Sequence, residues 1–159
     1  MSKYLITYYS RTGHTKALAL AIRDALGADT IEIQCQNYKH GPLGYLRAGY
    51  DSVKGNLPLI YFPDTDFSAY DCVIMGAPIW TSYPALPLRA FLHPVPDLPR
   101  QIGVFLTYGG HSPPEKAFQY IENLLPNRLQ ARLTLNSKDI GSDLQTEAIQ
   151  TFVEHLSAQ

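Results

Sequence analysis

A chain of 159 residues with a formal charge of −1 has room for one compact core and no bulk attraction for nucleic acid or an anionic lipid surface. No apolar run is long enough to span a membrane, and no cleavage site follows the short apolar stretch after Met1-Ser2-Lys3, so a single cytoplasmic domain over 1–159 is expected. Cys35 and Cys72 lie in apolar strand-like runs with no Cys-x-x-Cys or other zinc-ligand spacing, which fits buried free thiols and gives no metal site.

The first strand candidate is Tyr4–Tyr9. It runs into Ser10-Arg11-Thr12-Gly13-His14-Thr15, and a helix that begins near Thr15 places Ala17, Leu18, Ala21, Ile22, Ala25 and Leu26 on one stripe. Hydroxyls, a glycine and three basic side chains (Arg11, His14, Lys16) thus gather where a strand ends and a helix begins. A helix N-terminus carries about half a positive charge and unpaired N–H donors, so such a turn suits a terminal phosphate. Taken alone, it fits an ordinary capped strand–helix junction equally well.

Thr30–Cys35 is the second strand. Asn37–Leu57 reads as a loop and a short helix with Leu43, Leu46, Tyr50 and Val53 on one stripe. That segment is either the crossover helix any parallel sheet requires, a wall for a substrate or nicotinamide cofactor, or a contact with a second subunit of a homodimer. Cys72–Gly76 and Ile102–Thr107 are the next strands, and their stretches Cys72-Val73-Ile74-Met75 and Ile102-Gly103-Val104-Phe105-Leu106 are continuously apolar, as strands covered on both faces are. Leu129–Leu135 alternates apolar and polar residues, as does the second strand, which puts both at sheet edges. Helices opened by Pro114 and spanning Leu144 to Leu156 complete an α/β alternation. The expected fold is a doubly wound five-stranded parallel sheet in the order 2-1-3-4-5 with helices on both faces, whose ligands sit between strands one and three.

The loops that reach this crevice are Gly76-Ala77-Pro78-Ile79-Trp80-Thr81-Ser82-Tyr83-Pro84-Ala85-Leu86-Pro87 and Thr107-Tyr108-Gly109-Gly110-His111-Ser112-Pro113. Prolines stiffen a loop, glycines allow close backbone approach, and aromatic rings stack on a flat ligand.

With these residues the chain resembles the flavodoxin family of flavin mononucleotide (FMN) proteins over essentially its whole length. The turn from Ser10 to Thr15, followed by Ala19, is similar to the family's phosphate signature, although Thr7 stands where a larger apolar residue is usual. No long insertion interrupts strand five, so the resemblance is to short-chain members. It implies that Ser10, Thr12, Gly13, His14 and Thr15 hold the phosphate with help from Arg11. It further implies that Pro78, Ile79, Trp80 and Thr81 line one side of the flavin ring, and Thr107, Tyr108, Gly109 and Gly110 the other. Trp80 is read as a ring contact or a half-buried loop anchor, and Tyr108 as stacked or edge-packed. His111 is a solvated loop residue or a proton donor to reduced flavin.

Several other functions fail on spacing. A low-molecular-weight phosphatase needs an Arg six positions after its Cys, where this chain has Gly41 and Pro78. Dinucleotide and Lys-bearing phosphate-loop fingerprints are absent, and so is the acidic cluster of a response regulator. Two redox functions stay open. One is an electron carrier serving a redox partner protein; the other is an NAD(P)H-dependent oxidoreductase of quinones or similar small planar acceptors. Small size and the missing nicotinamide motif favour the carrier. The near-neutral charge favours the enzyme, because carriers of this family are typically strongly acidic. In both, the flavin does the chemistry, and no catalytic side chain is expected.

Overall fold

The computed structural model describes residues 1–38, 41–110 and 113–158. Five parallel strands, β1 (Tyr4–Tyr8), β2 (Asp29–Glu32), β3 (Cys72–Trp80), β5 (Gln101–Tyr108) and β6 (Ala131–Asn136), lie in the order β2-β1-β3-β5-β6. A two-residue strand, β4 (Tyr83–Pro84), pairs antiparallel with the end of β3. Without β4 this is the 2-1-3-4-5 order expected from the sequence, with both half-polar strands at the edges. The fold is flavodoxin-like.

Alternation along the strands feeds two cores. Leu5, Val73, Met75, Ile102, Val104 and Leu106 point to one face, where Leu88, Phe91, Ala117, Phe118 and Ile121 cover them. These come from α3 (Leu86–Phe91) and α4 (Glu115–Leu124). Ile6, Ile74 and Phe105 point to the other face, under Leu18 and Ile22 of α1 (His14–Leu26) and Ile149, Phe152 and Leu156 of α5 (Asp143–Ser157). Edge strand β6 contributes Ala131, Leu133 and Leu135 to that second core, which is why its pattern alternates.

Helix α2 (Pro42–Lys54) joins differently, meeting the body through a small cluster of Tyr38, Ala48 and Leu86 with the half-buried Trp80. Both of its ends are set by glycines, Gly41 before it and the left-handed Gly55 after it.

Some boundaries depart from the sequence reading. Strand β3 continues four residues past Gly76 to Trp80, so the expected loop from Gly76 to Pro87 is instead the end of β3, a tight hairpin, β4 and the start of α3. Pro78 lacks an N–H, yet its carbonyl accepts from Ala85 N at 2.8 Å, so the strand tolerates it where the hairpin folds back. Strand β2 stops at Glu32, and Gln34 turns away to form an isolated antiparallel bridge with Tyr61.

Candidate functional site

Parallel strands β1, β3 and β5 deliver their C-terminal ends to one edge of the sheet, where a cavity of about 450 Å³ opens. That size is in the range of sites for small molecules and cofactors. One end of the cavity is the turn after β1. Gly13 caps α1 with φ 103°, a left-handed conformation that other residues adopt only with strain. The first helical hydrogen bond runs from Ala17 N to Gly13 O, so the N–H groups of His14, Thr15 and Lys16 precede the ladder. Among the described residues no side chain caps this helix end. Its donors and its partial positive charge therefore face the cavity mouth.

The side chains of the turn divide the work. Arg11, Thr12, His14 and Thr15 line the cavity, whereas Ser10 and Gly13 do not. Ser10 Oγ instead accepts the Gly13 N–H at 3.1 Å and holds the turn closed from behind, beside a second, shallower cavity that also includes Tyr9 and Glu32. Thr12 Oγ1 and His14 Nδ1 are 3.1 Å apart. Arg11 reaches across to α2, donating to Gly41 O at 3.1 Å and lying over the Tyr45 ring at 5.8 Å. Lys16 pairs with Glu32 at 3.1 Å, which turns it away from the cavity. Thr15 and Thr107, both buried, share a 2.7 Å hydrogen bond that ties the helix start to β5.

At the other end, Pro78 and Thr107 are partners in adjacent strands, so the ends of β3 and β5 rise side by side as two walls. Pro78, Ile79, Trp80 and Thr81 form one wall, and Thr107, Tyr108, Gly109 and Gly110 the other. Trp80 is both anchor and wall. Its indole meets Tyr9 and Tyr38 edge-on, at centroid distances of 5.8 and 5.0 Å, and still borders the cavity. His111 lies outside the described residues, as do Lys39 and His40.

The hairpin after Trp80 is strained. Thr81 and Ser82 have φ of 51° and 72°, in a two-residue connection where Asn-Gly is the favoured chemistry. What holds it is a buried polar cluster. Ser52 Oγ donates to Trp80 O at 3.0 Å and lies 2.7 Å from Thr81 Oγ1. Arg89, only 4% exposed, reaches Ser52 Oγ, at 2.5 Å, and Ser52 O, and donates through Nε to Pro84 O. Among the described residues no carboxylate pairs with this guanidinium, and burial lowers its pKa. The rings of Tyr83 and Tyr120 flank it at 5.5 and 5.8 Å. A buried cation thus sits two hydrogen bonds from a hydroxyl that lines the cavity.

Residues outside the expected set of cofactor-binding residues also reach the cavity. Tyr45, Ala48 and Gly49 of α2 form a third side, and Ser137, in the turn after β6, donates to Tyr108 O at 3.1 Å. The segment carrying α2 was recognised as a candidate wall, but nothing local to Ser137 marks it. Among the described residues that line it none is acidic, while Arg11 and His14 are present. Such a site favours an anionic ligand. Among the described residues no cluster of metal-ligating side chains occurs, and no helix is long and apolar enough to cross a membrane.

No family model and no curated protein matches the chain. Solved structures share its fold. A flavoprotein from Bacteroides eggerthii superposes with a TM-score of 0.79 at 20% identity, over 100% of both chains. The flavoprotein of Lactobacillus acidophilus in complex with FMN gives 0.71 at 20% identity, over 92% of this chain and 99% of its own. The apo form of an NADH:FMN oxidoreductase gives 0.56 at 18% identity, over 99% and 92%. At these identities the likeness is one of fold.

Proposed function

We propose that this chain binds FMN non-covalently in the cavity and acts in electron transfer through it. One observation carries the reading: a single cavity has helix N–H donors that precede the hydrogen-bond ladder at one end, two backbone-and-aromatic walls at the other, and no acid among the described residues of its lining. The fit is good on both counts. Among the described residues nothing crowds Gly13, so the turn can close on a phosphate, and none of those lining the cavity carries a carboxylate that would repel it.

In this reading the N–H groups of His14 and Thr15 and the Thr12 hydroxyl hold the phosphate. Arg11 adds positive potential at the rim while its contacts to Gly41 and Tyr45 keep it in place. The Thr15–Thr107 pair fixes the distance between the phosphate end and the ring end. Trp80 and Tyr108, which line the cavity, would shield a flavin ring held there from water. Bound flavin supplies the redox chemistry itself, taking up and releasing electrons. No side chain is required as a nucleophile or an essential base.

A second reading, an NAD(P)H-dependent oxidoreductase of quinones or similar planar acceptors, is favoured by the α2 wall. Tyr45 and Gly49 extend the cavity beyond the phosphate turn and give a second planar molecule a surface to lie on. The distinguishing experiment is an air-free absorbance titration of FMN-loaded protein with NADPH and NADH, followed by a quinone. A carrier resists both nicotinamides and is reduced only by dithionite. Rapid bleaching by one of them, reversed by quinone, establishes the oxidoreductase. If the protein takes up no FMN, both readings fall.

A further inference from the structure

Helix α2 carries its apolar stripe on the outside. Of its thirteen residues only Ala48 and Ser52 are buried. Leu43, Leu46, Tyr50 and Val53 are 83%, 65%, 62% and 73% exposed. At about 100° per residue those four fall within an arc of roughly 80°, on the side opposite Ala48 and Ser52. A surface helix of a globular domain turns such a stripe toward its core, and this one docks through an alanine and a serine instead. The four exposed side chains present on the order of 500 Å² of largely apolar surface, over half of what one partner contributes to a stable interface.

The spacing of the stripe matches a second copy of the same helix. Positions 43, 46, 50 and 53 follow the three-four-three interval of a coiled-coil seam. They are also symmetric about position 48. When two such helices run antiparallel, Leu43 of one faces Val53 of the other, and Leu46 faces Tyr50. Each pairing then occurs twice. This self-complementarity is what a two-fold interface requires, since every contact from one copy must be returned by the other. The charges beside the stripe do not oppose it strongly: Arg47 is already paired with Asp51 at 3.5 Å, and Lys54 falls opposite the uncharged Pro42 in this register.

We propose that α2 is the dimerisation element of this protein, packing antiparallel against α2 of a second copy around a two-fold axis near Ala48. Tyr45 and Gly49 of the same helix line the cavity, so dimerisation sets one cavity on each side of the axis and buttresses the α2 wall of both. This inference concerns the helix alone and does not depend on the identity of the ligand.

The test is sedimentation equilibrium of the full chain at increasing concentration, with Leu46→Glu, Tyr50→Glu and, as a control, Leu144→Glu on α5. All three side chains are more than half exposed, so the variants should fold, which circular dichroism and thermal unfolding check. The expected mass of the parent protein is twice the 17.8 kDa of one chain. Leu46→Glu and Tyr50→Glu should each weaken the dimer at least 100-fold, and Leu144→Glu should leave it intact. A parent protein that stays monomeric at high concentration overturns the proposal. So does a dimer that survives both α2 variants, or one that is lost equally in the control.

Discussion

Gly76→Ala is expected to be among the most damaging small substitutions in this fold, and its cost follows from geometry. An alanine Cβ at this position would lie 1.9 Å from Cζ of Phe105 and 2.4 Å from both its Cε atoms. Carbon atoms in contact sit about 3.5–4.0 Å apart, so the ring would have to retreat by about 1.5–2 Å. It has nowhere to go, because Phe105 is fully buried among Ile6, Ile74, Leu133 and Phe152. Overpacking of this kind costs about 1–3 kcal/mol, and the depth of the overlap places Gly76→Ala near the upper end. The backbone would share the strain, since Gly76 O accepts the Tyr9 N–H at 3.0 Å, just before the turn that leads into α1. Phe105→Leu removes the clashing end of the ring and alone should cost about 1–2 kcal/mol through the space it leaves. Urea denaturation of both single variants and the pair gives a double-mutant cycle. The pair should be more stable than additivity allows by at least about 1 kcal/mol. Simple additivity, or a Gly76→Ala loss below about 0.5 kcal/mol, would refute the contact as the reason for the glycine.

Arg89→Met should destabilise the protein by about 2–4 kcal/mol, because it leaves Pro84 O and Ser52 O without their buried donor; an unchanged urea midpoint would contradict this. Ser82→Gly should raise the melting temperature, with a gain of about 0.5–1 kcal/mol, by relieving a φ of 72° that glycine adopts freely, and calorimetry reads it directly. Gly13→Val, with φ 103° but open space around the Cα, should fold with a loss of about 1–2 kcal/mol and bind FMN at least tenfold more weakly; equal affinity would remove the turn from the site. Stability should also fall in alkali. Burial, reinforced by Glu32, pushes the Tyr8 hydroxyl from 10.0 up to about 12, and burial pushes the Cys72 thiol from 9.0 to about 12. Both are acids whose neutral form the fold prefers. Their contribution is complete below the unfolded values and is lost as pH rises from these toward 12, so the urea midpoint should drop across that window.

The sheet order was legible because burial writes itself into strand patterns. Cys72-Val73-Ile74-Met75 is covered on both faces and reads as unbroken apolar sequence, while Ala131, Leu133 and Leu135 feed one face only and alternate. The turn after β1 was legible because a strand, a glycine and a helix start are local events. The hairpin after Trp80 was not. Thr81-Ser82 lacks the glycine or asparagine that marks such a turn, and it is held by Ser52 and Arg89, which lie 29 residues before and 8 after Thr81 in the chain. The orientation of α2 was equally hidden. Periodicity locates a stripe at Leu43, Leu46, Tyr50 and Val53, but it cannot say whether the stripe meets its own sheet or the outside. Ser137 reaches the cavity only because β6 ends beside β5, a tertiary fact without a local signature.

The most direct test of the account is a fluorescence titration of the flavin-free protein with FMN and, in parallel, with riboflavin, which has the same ring and no phosphate. If the helix end after Gly13 is the anchor, FMN should bind at least 100-fold more tightly than riboflavin, the equivalent of about 2.7 kcal/mol or more. Weak binding of both, or equal binding of the two, would contradict it.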